Sequence, residues 1–348
     1  VQDEQERGQP IRAARSSLRL APAATGTHCR PGPPVTSSEE LLAHGASLGF
    51  DDSPGLIDCH VHTALSGDSA ATVDACCRAA ASAALAGISF TNHVRAPDLV
   101  SRSFLDRLTS HRDEVLRCRS IYPELRIGLG VEIDYSPTAE EQIRGWLRNA
   151  QEALGEPLDY VLGAIHTLRG RSLIDPSSVA LLLSPSPIPR YREYYASIAQ
   201  AASSRLFDAI AHPGLIAKFS NWLSRPVPFE DYASEAHAFT KTLVDGDVAL
   251  EINTKGLIHP VGHVYPPVEV LQTYCSRAKE RGTLPRVVLG SDAHSTDAVG
   301  FGFDVAAAAL TAAGVSVAVA FRERRPCFAR MAPIDPCRAP DAAVVSGG

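Results

Sequence analysis

No run of about eighteen apolar residues occurs in the 348-residue chain, so nothing in it reads as a membrane-spanning segment. Basic residues form no block: 33 Lys and Arg stand against 39 Asp and Glu, a formal charge of -6 spread along the chain. The electrostatic footprint of a dedicated nucleic-acid binder is therefore missing, and a small charged substrate is the simpler expectation. The eight cysteines contain no CxxC pair and no regular spacing, which in a chain this long excludes a disulfide scaffold and suggests reduced thiols in a cytoplasmic protein. Nothing in the composition speaks to oligomeric state.

What remains is 45% hydrophobic and 21% charged, enough for one large core. Residues 1 to 50 mix Arg, Gln, Pro, Ala and acidic residues without apolar periodicity and are expected to form a disordered extension. Arg12, Arg15 and Arg19 hint at a targeting segment, Asp3, Glu4 and Glu6 oppose it, and without an initial Met the natural start stays open. The stretch from 51 to 324 reads as the folded domain, and 325 to 348 as a loose tail.

Within the domain, short runs rich in Val, Ile and Leu alternate with helix-length stretches. Strands are expected at Leu56 to Thr63, Ile88 to Val94, Ile127 to Tyr135, Tyr160 to Thr167, Ala209 to His212, Ala249 to Thr254 and Arg286 to Asp292. Clear helical stretches are Thr72 to Ala86, Ala139 to Ala153, Tyr191 to Ser203, Glu230 to Val244, Pro267 to Arg281 and Asp304 to Ala313. Such alternation favours a parallel sheet, open or closed. The polar residues decide between them: His60 and His62, His93, Glu132, His166, His212, then Asp292 and His294 sit at strand ends nearly all the way along. An open sheet gathers chemistry at one crevice, whereas donors from nearly every strand need a closed ring with the site at its C-terminal face.

A lone His at a strand end is usually a core or surface residue. The set carries the weight, because burying several imidazoles and carboxylates together without a cation leaves charge unpaired. Strand alternation also pairs His60 with His62 and Asp292 with His294. It turns Cys59 away from His60 toward the barrel's outer layer, and it makes Asp58 a partner that orients a ligand rather than a ligand.

The segments DCHVHTALSGDS, GISFTNHV, GVEIDY, DYVLGAIHTL, FDAIAHPGLIAKF, ALEINTKGL and VVLGSDAHSTDAVGFGFD together resemble the polymerase and histidinol phosphatase (PHP) superfamily over about residues 55 to 321. The late segments resemble its histidinol-phosphatase branch. The resemblance implies a distorted (β/α)7 TIM-like barrel around three divalent ions, zinc, manganese or iron. It places His60, His62, Glu132 and Asp292 on the first ion, Glu132, His166 and His212 on the second, and Asp68, His93 and His294 on the third. Asp68 could equally cap the following helix. The implied reaction is hydrolysis of a phosphomonoester, foremost L-histidinol phosphate in histidine biosynthesis, by metal-activated water, with Glu132, Asp292 and His294 as catalytic groups. Phosphate contacts are expected from Arg95, Arg169, Lys218 and Lys255, with Arg171 a further candidate and His259, His263 and Tyr265 in a loop that could wall the mouth. Arg169 and Gly214 stand where relatives commonly carry acidic residues, which leaves another metabolite phosphate as an alternative substrate. The resemblance also admits a phosphodiesterase or exonuclease acting on nucleic-acid ends, and a non-catalytic module kept for structure or partner binding.

Overall fold

The computed structural model describes residues 50–51, 55–223 and 226–331. The expected N-terminal extension therefore lies outside the described residues apart from Phe50, and the tail does so beyond Met331.

Seven strands form the framework: β1 (Ile57–Val61), β2 (Gly87–Val94), β3 (Arg126–Asp134), β4 (Tyr160–Ala164), β5 (Ala209–Ile210), β6 (Ala249–Asn253) and β7 (Val287–Gly290). They lie side by side in chain order and pair in parallel throughout. The ring closes just past β7, where the His62 N–H donates to the Ala293 carbonyl at 2.9 Å and the Ala293 N–H to the His60 carbonyl at 3.3 Å. The chain is thus a (β/α)7 barrel, as the strand-end pattern required.

Helices α1 (Val73–Ser82), α2 (Arg102–Ile121), α3 (Glu140–Leu154), α4 (Pro176–Leu183), α5 (Ile188–Ser203), α6 (Ala233–Gly246), α7 (Val268–Glu280) and α8 (Phe303–Ala312) fill the connections and follow β7. Side-chain oxygens set three of the starts, Thr72 accepting from the Ala75 N–H, Ser101 from Phe104, and Asp175 from Ser177 and Ser178. The longest helix, α2, is not among the clear helical patterns of the sequence. Its buried face of Phe104, Leu105, Leu108, His111, Val115 and Cys118 is broken by charges that dilute the periodic signal.

Alternate strand residues face two apolar layers. Ile88, Phe90, Leu129, Val131, Val161, Leu250 and Leu289 pack outward against helices. Ile57, Cys59, Tyr160, Leu162, Ala209, Ala249 and Val288 form an inner cluster. Cys59 therefore belongs to the inner layer, contrary to the alternation argument. The pairing of β1 with β2 shifts between Asp58 and Val61, and that irregularity breaks strict alternation at Cys59 and His60.

The inner cluster is completed by a hairpin of β8 (Val317–Arg322) and β9 (Arg325–Arg330), which supplies Val317, Val319, Ala320, Phe321 and Phe328. The Phe321 ring stacks on Tyr160 with centroids 5.2 Å apart. At the turn, the Glu323 N–H donates to Asp159 Oδ1 at 3.1 Å, the Arg324 N–H to the Asp159 carbonyl at 3.0 Å, and Arg324 Nε–H to Asp208 at 2.9 Å. Asp159 and Asp208 directly precede β4 and β5, so the hairpin plugs the N-terminal end of the barrel. Residues 325–330 are thus a paired strand, where composition suggests the start of a loose tail. The strand signal is faint because Pro326 argues against a strand and only Phe328 and Ala329 are buried.

Replacing Arg324 with Ala strands the nearly buried Asp208 carboxylate and is expected to cost about 2–3 kcal/mol in urea unfolding at neutral pH. Burial raises Asp208 from its ordinary 3.8 to about 6, against the opposing pull of Arg324. A raised carboxyl pKa makes ionisation oppose folding as pH climbs through that interval, and Arg324 lessens the opposition. The deficit of the variant should accordingly shrink as pH falls toward about 6 and be small below it.

Candidate metal centre

The nine donor side chains converge at the C-terminal mouth, opposite the plug. β1 and its exit bring His60, His62 and Asp68; β2 brings His93, β3 Glu132, the exit of β4 His166 and that of β5 His212. Asp292 and His294 follow β7. Glu132 is fully buried at the centre. Its Oε2 lies 3.4 Å from His60 Nε2, 3.6 Å from His62 Nε2 and 2.8 Å from His93 Nδ1. Its Oε1 lies 2.9 Å from His212 Nε2 and 3.5 Å from His166 Nε2. Asp292 Oδ1 lies 3.4 Å from His62 Nε2, 3.8 Å from His60 Nε2 and 3.4 Å from His294 Nδ1. Asp68 lies 3.3 Å from His93 and 3.7 Å from His294, so it joins the cluster; Thr72 is the residue that caps α1.

The rings are oriented for donation inward. His60 Nδ1–H donates to Glu251 at 2.6 Å, His62 Nδ1–H to Ser66 Oγ at 2.9 Å, His166 Nδ1–H to Asp134 at 2.5 Å and His294 Nδ1–H to the Asp292 carbonyl at 3.0 Å. Each such bond fixes the tautomer and leaves Nε2 as a lone pair facing the centre. The consequence is unfavourable without a positive charge between them where two such rings face each other: His60 and His62 Nε2 are 3.0 Å apart. Three groups have donor atoms mutually close enough for one ion each: His60, His62 and Glu132; His93, Glu132 and His166; and His62, Asp68, His93 and His294. Imidazole and carboxylate together suit borderline or hard divalent ions.

The electrostatics agree. Burial opposes ionisation of Glu132, yet His60, His93 and His166 hold its carboxyl well below the usual range. Asp292 is likewise held low against burial, by His60 and His62 among others. Burial opposes protonation of His93, but Glu132 and Asp68 outweigh it and raise the ring to about 10. His62 instead falls to about 3 through burial and its imidazole neighbours. The cluster therefore keeps its carboxylates charged against the imidazoles that surround them.

Two carboxylates that chain spacing did not single out hold imidazole rings of the cluster. Asp134 lies two positions beyond Glu132 on the same strand face, a period that could have revealed it. Glu251 lies on β6, which bears none of the nine donors, so no neighbouring ligand marks it in the chain. Asp58, expected to orient a ligand ring, does something else. It accepts the Ser291 N–H at 3.0 Å, the Ser291 hydroxyl at 2.5 Å, the Gly300 N–H at 2.9 Å and the His60 N–H at 3.3 Å. It ties β1 to the backbone beside Asp292 rather than touching an imidazole. The backbone there is strained: Asp292 has φ 54° and His212 φ 30°, left-handed values that non-glycine residues seldom adopt.

Of the expected phosphate-binding cations, Lys255 reaches the centre, its Nζ–H donating to the Asp292 carbonyl at 2.9 Å. Lys218 is half-buried near it; burial lowers its pKa, Asp292 opposes that and Lys255 reinforces it. Arg95 stands at the rim, donating to Asp68 at 2.7 Å and to the Ser66 carbonyl at 3.0 Å. Arg169 turns to α5 and pairs with Glu193 at 2.8 Å, while Arg171 is exposed in the short hairpin formed by Thr167–Leu168 and Arg171–Ser172. The 259–265 loop is strapped to β6 by the reciprocal Asn253 and Tyr265 backbone bonds at 2.8 and 2.9 Å. Within it His259 bonds to Tyr265 Oη at 3.0 Å, whereas His263 is exposed. Gly214 has φ 122°, and a Cβ there would lie 3.3 Å from Tyr265 and 3.2 Å from Pro267, so this loop leaves little room for a side chain.

The model of the PHP domain matches residues 58–255, more than half of the chain. The chain belongs to the PHP family. A PHP relative from Deinococcus radiodurans named "Probable histidinol-phosphatase" is 35% identical over 276 residues, spanning 78% of this chain and 98% of its own length. Another of the same name from Clostridium acetobutylicum is 27% identical over 250 residues, 71% of this chain and 90% of its own. The crystal structure of histidinol phosphate phosphatase from Lactococcus lactis, complexed with zinc, L-histidinol and phosphate, superposes with a TM-score of 0.65. That match covers 79% of this chain and 99% of the other at 18% identity and shows the shared barrel.

Replacing Asp58 with Ala leaves several buried donors without an acceptor. The expected loss is about 3–5 kcal/mol in chemical denaturation, a magnitude that a residue merely steering one ligand ring would not produce.

Proposed function

We propose that this PHP chain is a metal-dependent phosphomonoesterase that hydrolyses L-histidinol phosphate to L-histidinol and phosphate. The carrying observation is the convergence of nine imidazole and carboxylate side chains at a mouth flanked by Lys218, Lys255 and Arg95. The names and extent of the relatives direct the choice of substrate, and with it a role in histidine biosynthesis. Free thiols at Cys59, Cys76, Cys77, Cys118 and Cys275 accord with a cytoplasmic enzyme, and among the described residues no helix is long and apolar enough to cross a membrane.

His60, His62, Glu132 and Asp292 would hold one ion, Glu132, His166 and His212 a second, and Asp68, His93 and His294 a third, with zinc, manganese and iron all fitting the donor set. When bound, divalent cations neutralise phosphoryl charge and make water nucleophilic near neutral pH. The chain's own residues do the rest. Lys218 and Lys255 draw the phosphate dianion to the mouth and orient it, and Arg95 adds charge at the rim. His294, 27% exposed at the side chain, and its neighbour Asp292 are placed to orient a water that passes a proton to the departing alcohol.

Chelator-dialysed protein should lose at least about 100-fold of its phosphate release from L-histidinol phosphate and regain it with zinc, manganese or iron. His60→Ala should be lower by a similar factor and resist reloading. Lys218→Ala should raise KM about tenfold with a smaller change in kcat. Activity confined to other monoesters would move the substrate assignment. Preference for a phosphodiester, or no hydrolysis by metal-loaded protein, would overturn the proposal.

A further inference from the structure

The sixth strand bears none of the nine donors, yet it sets one of the barrel's most enclosed carboxylates beside them. Glu251 is fully buried. Its Oε1 accepts His60 Nδ1–H at 2.6 Å, and its Oε2 accepts the backbone N–H of His212 and Asn253 Nδ2–H at 3.2 Å. The two oxygens thus serve residues of different donor groups, the His60 ring beside His62 and Glu132, and the strained backbone of the His212 segment beside His166. The other side of that segment is also pinned, since Tyr194 Oη–H donates to the His212 carbonyl at 3.1 Å. β7 has been hollowed to admit the carboxylate: a Cβ on Gly290 would lie 2.2 Å from Glu251 Oε1 and 2.6 Å from the His60 Cβ.

Burying a carboxylate is costly unless its oxygens are satisfied. A solvated donor could orient a single ring at lower cost, so a fully enclosed Glu is explained better by a task that needs both oxygens at once. We infer that Glu251 is a positioning residue that couples two ion-binding subsites, holding the His60 ring and the His212 backbone in mutual register. The inference rests on the reading of the nine donors as metal ligands. Filling one subsite orders His60, and through Glu251 this preorganises His212 for the other. An isosteric amide would keep one acceptor but turn an N–H toward one of the two donors, so it should break one arm only.

The test is zinc titration of metal-free wild type, Glu251→Gln, Glu251→Ala and His60→Ala by calorimetry and metal content, alongside far-UV circular dichroism of each apoprotein. Glu251→Ala should retain its fold and weaken two zinc sites about 10- to 100-fold while keeping the site of Asp68, His93 and His294; Glu251→Gln should fall between it and wild type. If wild type binds zinc that His60→Ala loses but both Glu251 variants keep at unchanged affinity and number, the coupling role is overturned and the metal reading stands. If wild type binds no zinc, both fall. Should Glu251→Ala misfold, the isosteric Gln variant decides alone.

Discussion

Glu132 is the constraint around which the rest is arranged. A buried carboxylate sits with five imidazoles within 2.8 to 3.6 Å of its oxygens. Such a group is tolerable only where positive charge surrounds it from several directions. No single strand or helix can supply that surround, because side chains from one element leave it on one or two faces. A closed ring of parallel strands can, and here six of the seven strands or their exits contribute.

The two ends of the barrel divide the labour accordingly. At the N-terminal end the β8–β9 hairpin and the inner apolar cluster fill the lumen, with Arg324 locked to the residues that precede β4 and β5. That plug makes the lower barrel a conventional core. At the C-terminal end the lumen is polar, and the backbone itself departs from comfortable geometry at His212 and Asp292. The strain is held by bonds from outside the donor set: Glu251 and Tyr194 at His212, and Lys255 at Asp292. Site and scaffold are therefore mutually dependent, since the His60 and His166 rings are fixed by the carboxylates of Glu251 and Asp134.

Much of this was legible in the chain. The alternation of Val, Ile and Leu runs with helical stretches announced the sheet, and strand-end His and carboxylate residues announced that it closes. The nine side chains come together because each lies at or just after a strand C-terminus, a place that chain direction alone defines. Residues whose role depends on what lies across the barrel were not legible. Glu251 looks like one polar residue in a hydrophobic strand until β1 and β5 are seen on either side of it. Asp58 shares local spacing with His60, but its partners Ser291 and Gly300 are more than two hundred positions away. Cys59 was misplaced because alternation assumes regular pairing, and the shift in β1 removes it.

The sequence by itself determined the order of strands and helices, the donor types and the end of the barrel at which they gather, because these follow from hydrophobic period and chain direction. Only the tertiary structure decided which nitrogen of each ring faces the centre, which carboxylates hold the rings, and that residues 317–330 plug the opposite end. Those outcomes depend on hydrogen bonds and packing between segments far apart in the chain, for which local spacing carries no periodic signal.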